Sequence, residues 1–323
     1  MVCRVDAALH GPGRVLHWYV SPTPAHLFDS PLRTCSHLSP GILSISTPGA
    51  PIAGTGEDGR ALARDLNEYL GNETVASSRL GFFGALPDWR DVNGTLAEID
   101  YLYQTQRLCH GVGVSSSYGN LLPGDPLFQP IWSRLDAYGA LVFLHPVSIP
   151  GIEPSFIAGT LPQAIIDFPL ATTRAAIDLV FTGTLAGNPS LDIILPHAGG
   201  TLPFLGNRAL GSLLVPEVAA SVNISIFQAR ADFARFYLDV ALSTSAAQLD
   251  GLLDFTDPGR ILWGSDYPYA PEPAVDGLIL QHAAFVTTNA RGKKIAPGVL
   301  RRNAAELLRR HAQDKTLDFD RRH

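Results

Sequence analysis

Ala140-Leu-Val-Phe-Leu-His145-Pro146 is a run of five apolar residues that closes on a histidine and is stopped by a proline. A short continuous apolar segment rich in branched and aromatic side chains reads as a strand buried on both faces, the kind found in parallel sheets. Two further stretches repeat the design. Leu191-Asp-Ile-Ile-Leu-Pro-His197-Ala-Gly-Gly200 ends on a histidine before two glycines, and Arg260-Ile-Leu-Trp-Gly-Ser-Asp266-Tyr-Pro268 ends on an aspartate.

Working outward, short apolar runs alternate with longer helical patterns from residue 42 onward, as in successive parallel βα units. The expected strands are Val2–Val5, Ile42–Thr47, Gly81–Leu86, Gly111–Ser115, Ala140–His145, Leu191–Pro196, Phe236–Leu242 and Arg260–Gly264. Helical spacing appears over Gly59–Leu70, Thr95–Gln106 and Pro126–Tyr138. In the last of these Phe128, Ile131, Trp132 and Leu135 recur at i, i+3, i+4 and i+7. A closing helix is expected over Pro297–His311. Eight parallel strands with intervening helices predict a closed (β/α)8 TIM barrel. No glycine fingerprint follows the first strand to support an open doubly wound sheet. The reading is one domain over residues 1–323. Five prolines within residues 11–41 argue against a regular first helix, so residues 1–41 are expected to be irregular and the first β/α unit degenerate. Residues 312–323 are expected to form a frayed tail.

With 323 residues, 46% of them hydrophobic and 17% charged, the chain can bury a large core. A net charge of -6 and a pI near 5.9 give no electrostatic case for nucleic acid. No apolar stretch is long enough to span a bilayer, so no membrane role is expected. Cys3, Cys35 and Cys109 form no CxxC pair and read as free thiols of a reducing compartment, which makes the cytoplasm the expected location.

In a barrel of this kind, polar residues just past the C-terminal ends of strands carry function. A single histidine there is more often a packing residue, but His145, His197 and Asp266 at three strand ends point to a common centre. Imidazole nitrogen and carboxylate oxygen are the donor set of Zn²⁺ and similar ions, and a catalytic site leaves one position open. Gly199, Gly200 and Gly264 would let backbone approach a ligand closely, or would simply serve turns. Trp89, Tyr118, Tyr267 and Tyr269 would wall a pocket or pack in the core.

His145-Pro146, His197-Ala-Gly-Gly200 and Trp263-Gly-Ser-Asp266-Tyr-Pro268 together resemble the amidohydrolase-related decarboxylase family, which includes the aminocarboxymuconate semialdehyde decarboxylases. Ile42-Leu-Ser-Ile-Ser-Thr-Pro-Gly-Ala-Pro51 and Gly111-Val-Gly-Val-Ser-Ser-Ser-Tyr-Gly119 look closest to its fungal 6-methylsalicylate decarboxylase branch. The resemblance covers about residues 42–311 and implies a barrel of the metal-dependent hydrolase type. It makes His145 and Asp266 metal ligands, and His197 and Asp266 the catalytic pair. The opening motif departs from the family. Arg4-Val-Asp-Ala-Ala8-Leu-His10 puts Ala8 where a ligand belongs and keeps His10 as the third metal residue. His17, His26 and His37 are the substitutes within reach in sequence, or else surface residues.

The implied cofactor is a divalent ion, Zn²⁺ first and Mn²⁺ second. The implied reaction is non-oxidative decarboxylation of a small aromatic carboxylic acid, 6-methylsalicylate to m-cresol, in secondary metabolism. A homo-oligomer is expected. The competing readings are a metal-dependent hydrolase of a lactone or amide, and a catalytically impaired relative that lacks one metal ligand.

Overall fold

In the computed structural model the described residues are 2–5 (backbone), 41–77, 79–152, 156–222, 224–311 and 313. The strands are β1 (Val2–Val5), β2 (Gly41–Ile45), β3 (Leu80–Phe83), β4 (Val112–Ser115) and β5 (Leu141–His145), then β6 (Phe156–Ile157), β7 (Leu161–Pro162), β8 (Asp192–Leu195), β9 (Tyr237–Asp239) and β10 (Ile261–Leu262). Setting aside the antiparallel hairpin β6–β7, eight strands lie side by side in chain order. Parallel ladders join β1 to β2 to β3 and run from β4 through β5, β8 and β9 to β10. A parallel bridge between Gly84 and Val112 links the two groups. The fold is a (β/α)8 barrel, as the alternation predicts.

The strand pattern explains which side chains reach the interior. Successive residues of a strand face opposite ways. In β5, Leu141 and Phe143 pack inward with Ile42, Phe83, Ile194, Tyr237 and Leu262, the rings of Phe83 and Phe143 stacking at 5.5 Å. Val142 and Leu144 face outward against the helices, in a layer with Leu66, Ile131, Trp132 and Leu179. His145 shares the alternation of Leu141 and Phe143. It therefore crowns the inward face of the barrel.

Most strands are shorter than the apolar runs suggest. Pro196 has no N–H to extend the β8 ladder, and β10 leaves the sheet after Leu262, so His197 and Asp266 sit beyond the strands in the loops that follow. The helical expectation at Gly59–Leu70 extends to Glu57–Ala76. The expected helix over Thr95–Gln106 is an α-helix, Val92–Asp100, running into a π-helical turn at Tyr101–Gln106. Pro126 opens a 3-10 turn before the helix Gln129–Ala137. The closing helix spans Pro297–Arg310. Just past it, the two ring nitrogens of His311 face the Gly139 carbonyl (2.6 Å) and the Asp192 carboxylate (2.9 Å), tying this helix to the segments entering β5 and β8.

The expected first-unit irregularity falls on residues 6–40, outside the described residues, as does nearly all of the expected tail. Val2–Val5 does form the first strand. Cys109 is buried with a free thiol that burial pushes up to about 12. No helix among the described residues is long and apolar enough to cross a membrane.

Candidate functional site

His145 is the last residue of β5. Its carbonyl accepts the Ser116 N–H at 2.8 Å, which ties the end of β5 to the end of β4. Phe168 presents its ring edge-on to the imidazole, with centroids 6.3 Å apart.

His197 opens a 3-10 turn, His197–Gly199, directly after Pro196. Four consecutive residues are left-handed here, His197 and Ala198 at φ 56, Gly199 at φ 74 and Gly200 at φ 68. Glycine takes this conformation freely. A non-glycine residue in it costs about 1–3 kcal/mol, and such residues cluster at functional sites. The two glycines also allow close packing. A Cβ on Gly200 would stand 2.0 Å from the Pro169 carbonyl oxygen, and one on Gly199 would stand 2.5 Å from Leu238 Cδ2. Their close approach is thus to the neighbouring protein, and turn chemistry accounts for both.

Asp266 lies four residues past β10, also left-handed at φ 60, and its carbonyl accepts the Ala270 N–H at 2.8 Å. The two turns bring His197 and Asp266 together, with 3.9 Å between His197 Nε2 and Asp266 Oδ1. His145, His197 and Asp266 are all buried, and so are the ring nitrogens of both histidines.

A pocket opens over the ends of β2 to β5, lined by Ser46, Thr47, Leu86, Ser115, Tyr118 and His145 among others. The Tyr118 phenol oxygen accepts the Ser115 N–H at 3.1 Å, and burial pushes its pKa up, so it stays neutral. Trp89 belongs to the core instead. It is fully buried, stacked on Tyr118 at 5.2 Å and edge-on to Trp132 at 5.0 Å. Tyr269 is half exposed and donates its hydroxyl to the Thr47 carbonyl at 2.8 Å, a link from the loop after β10 to the pocket rim. Tyr267 is partly buried and bonds Ser265 through its backbone N–H.

The donor chemistry of His145 and Asp266, a buried imidazole and a buried carboxyl group, suits a divalent ion. Among the described residues no three His, Cys, Asp or Glu side chains gather as a metal site. Two protein donors fall short of the usual three, so the set needs the His10 expected from the opening segment. His10, Ala8, His17, His26 and His37 all lie outside the described residues.

The sequence reading missed Asp239. It is buried at the end of β9 and accepts the His197 N–H at 3.0 Å through Oδ1. The signal was present, because Asp239 closes the apolar run Phe236-Tyr-Leu-Asp239 in the manner of the other strand-end residues. Extending that strand to Leu242 hid it. Gly264 also finds its reason here, since a Cβ would stand 2.8 Å from the Asp239 carboxylate carbon.

Comparison with known proteins adds to this geometry. The model of a family described as amidohydrolase matches residues 37–310. The chain is 36% identical over 262 residues to a 6-methylsalicylic acid decarboxylase of Penicillium expansum, covering 80% of this chain and 79% of the relative. It is 34% identical over 302 residues to the 6-methylsalicylic acid decarboxylase acuB of Aspergillus aculeatus, covering 91% and 88%. A crystal structure of 5-carboxyvanillate decarboxylase from Novosphingobium aromaticivorans, complexed with manganese and a nitrobenzoic acid, superposes with a TM-score of 0.70 at 19% identity, covering 84% of this chain and 76% of that one.

Proposed function

This chain belongs to the amidohydrolase family, and from that premise we propose that it is a metal-dependent decarboxylase of a hydroxybenzoate, with 6-methylsalicylate as substrate and m-cresol as product. It is a carboxy-lyase, like its named relatives. The observation that carries the mechanism is the buried His197–Asp266 pair, 3.9 Å apart, each residue held in a left-handed turn beyond a barrel strand. Two left-handed turns converging on one buried imidazole–carboxylate pair support this reading, since such strained residues cluster at functional sites.

A divalent ion held by His145, Asp266 and His10, zinc or manganese, would supply positive charge for the substrate carboxylate and its neighbouring oxygen. The chain's own residues do the rest. Asp266 delivers a proton to the ring carbon that bears the carboxylate. The C–C bond then breaks, its electron pair restores the aromatic ring, and carbon dioxide leaves. His197, next to Asp266, poises that proton and returns one after each turnover. Protonating an aromatic carbon interrupts conjugation, so the ring must be held in one orientation away from bulk water. The pocket beside His145 supports this, with apolar Leu86 and the neutral Tyr118 phenol among its walls.

The choice of 6-methylsalicylate rests on the two relatives at 36% and 34% identity. The same reading takes residues 1–323 as one barrel domain that acts in the cytoplasm as a homo-oligomer. The test is to incubate the purified chain with 6-methylsalicylate and follow both substrate loss and m-cresol formation. Equal amounts of m-cresol and carbon dioxide are expected. Turnover of a lactone or amide without carbon dioxide would replace this reading with hydrolysis.

A further inference from the structure

Asp239 ends β9, the strand that lies between β8 and β10, which lead to His197 and Asp266. Its Oδ1 accepts two backbone N–H groups, from His197 at 3.0 Å and from Ala241 at 2.9 Å. Gly264, two residues before Asp266, lies against the same carboxylate, with a Cβ excluded by contacts of 2.8–3.0 Å. One buried carboxylate therefore touches the turns after three successive barrel strands. Backbone N–H groups bonded to a carboxylate form charge-assisted hydrogen bonds, which are stronger than neutral ones. The His197 amide belongs to a residue at φ 56, and such a conformation persists only when its surroundings over-determine it.

We propose that Asp239 is a positioning residue, which holds the His197 backbone in its left-handed turn and so places the imidazole beside Asp266. The proposal rests on the reading of His197 as a participant in the chemistry. A carboxylate that merely stabilised the core would affect melting and leave the turnover of the folded enzyme unchanged.

Two variants of the full chain separate these roles. Asp239→Asn keeps a carbonyl oxygen in place of the acceptor, and Asp239→Ala removes it. Hydrogen–deuterium exchange of the peptides covering His197 and Ala241 reads the tether. The kcat and KM for 6-methylsalicylate, taken well below each variant's Tm, read the consequence. In Asp239→Ala, exchange at both amides should accelerate about tenfold or more, with kcat down about ten- to a hundredfold. KM should stay within about threefold, and Asp239→Asn should restore most of both effects. Should Asp239→Ala not fold, Gly264→Ala disturbs the same contact from the β10 side and should accelerate exchange at His197. Unchanged exchange in these variants overturns the proposal, and so does accelerated exchange with wild-type kcat. A wild-type chain that releases no carbon dioxide from any hydroxybenzoate overturns the functional reading instead, and the exchange pattern then decides the tether by itself.

Discussion

His197 Nε2 stands 3.9 Å from Asp266 Oδ1, across the end of the single strand that separates their own two strands. At that distance a small shift of either turn makes or breaks a hydrogen bond, which is the step the proposed proton exchange between the two groups requires. Positioned acid–base groups contribute about 10²- to 10⁴-fold to rate. His197→Asn and Asp266→Asn should each lower kcat by an amount in that range. The double variant should be little worse than the poorer single one, because the two act as a unit. Steady-state kinetics of the three variants checks this, and fully additive losses would separate the roles of the two residues.

His145 should act through metal binding. Exhaustive chelation should abolish activity, and Zn²⁺ or Mn²⁺ should restore it. Elemental analysis of the wild-type chain should give close to one equivalent, and His145→Ala should lower that content along with the activity. Loss of a ligand that leaves metal content unchanged would remove His145 from the set.

The fold was legible because its signal is repeated. The central strand β5 is apolar on both faces, and runs such as Leu141–Leu144 announce themselves without context. The strand-end histidines were legible for the same reason, since a polar residue closing such a run is conspicuous. Geometry beyond the strand was not legible. Nothing in the letters His197-Ala-Gly-Gly says that four residues in succession take positive φ, or that Pro169, Leu238 and Asp239 from distant segments close around this turn. Asp239 was missed because the expected strand ran on to Leu242, which put this carboxylate inside the strand instead of at its end. Trp89, offered either for a pocket wall or for the core, belongs to the core, where its large ring is fully buried.

The turn after β8 should be intolerant of side chains for a reason that can be dissected. At Gly183 the backbone is left-handed at φ +73 and a Cβ would meet nothing within 4 Å, so Gly183→Ala should cost about 1 kcal/mol from conformation alone. Gly200 has a similar φ of +68 but a ψ of -120, outside the αL region that Gly183 occupies, so its conformational cost is the larger, and its Cβ would in addition stand 2.0 Å from the Pro169 carbonyl oxygen. Gly200→Ala should cost about 2–5 kcal/mol, the conformational term plus overpacking. Denaturant titration of both variants gives the comparison, and equal losses would mean that both the conformational difference and the Pro169 contact relax freely.

Stability should fall on the acid side in two separate windows. Burial pushes the His282 imidazole below its ordinary value, against the opposing hydrogen bond from Nε2 to the Ile295 carbonyl at 2.9 Å. The unfolded chain takes up this proton first, near pH 6.5. Stability is therefore full above about that pH and declines as pH falls through the lower folded value. Burial also pushes Asp192 upward, but the hydrogen bond with His311 and the charges of Arg310 and Arg260 outweigh it and hold the carboxyl below its usual range. Its contribution is present above about pH 3.9 and is lost below, as the folded group protonates. Thermal melts from pH 8 to 3 should show both declines. His282→Gln should flatten the first and Asp192→Asn the second.

The most direct measurement of the central claim is turnover of 6-methylsalicylate by the metal-loaded chain in D₂O, with the product examined by NMR and the gas phase by mass spectrometry. The account predicts one carbon dioxide per m-cresol and a single deuterium on the ring carbon that carried the carboxylate, with both signals forming about 10²- to 10⁴-fold more slowly in Asp266→Asn. Intact 6-methylsalicylate after prolonged incubation with fully metal-loaded protein, or product formed without carbon dioxide, would contradict it.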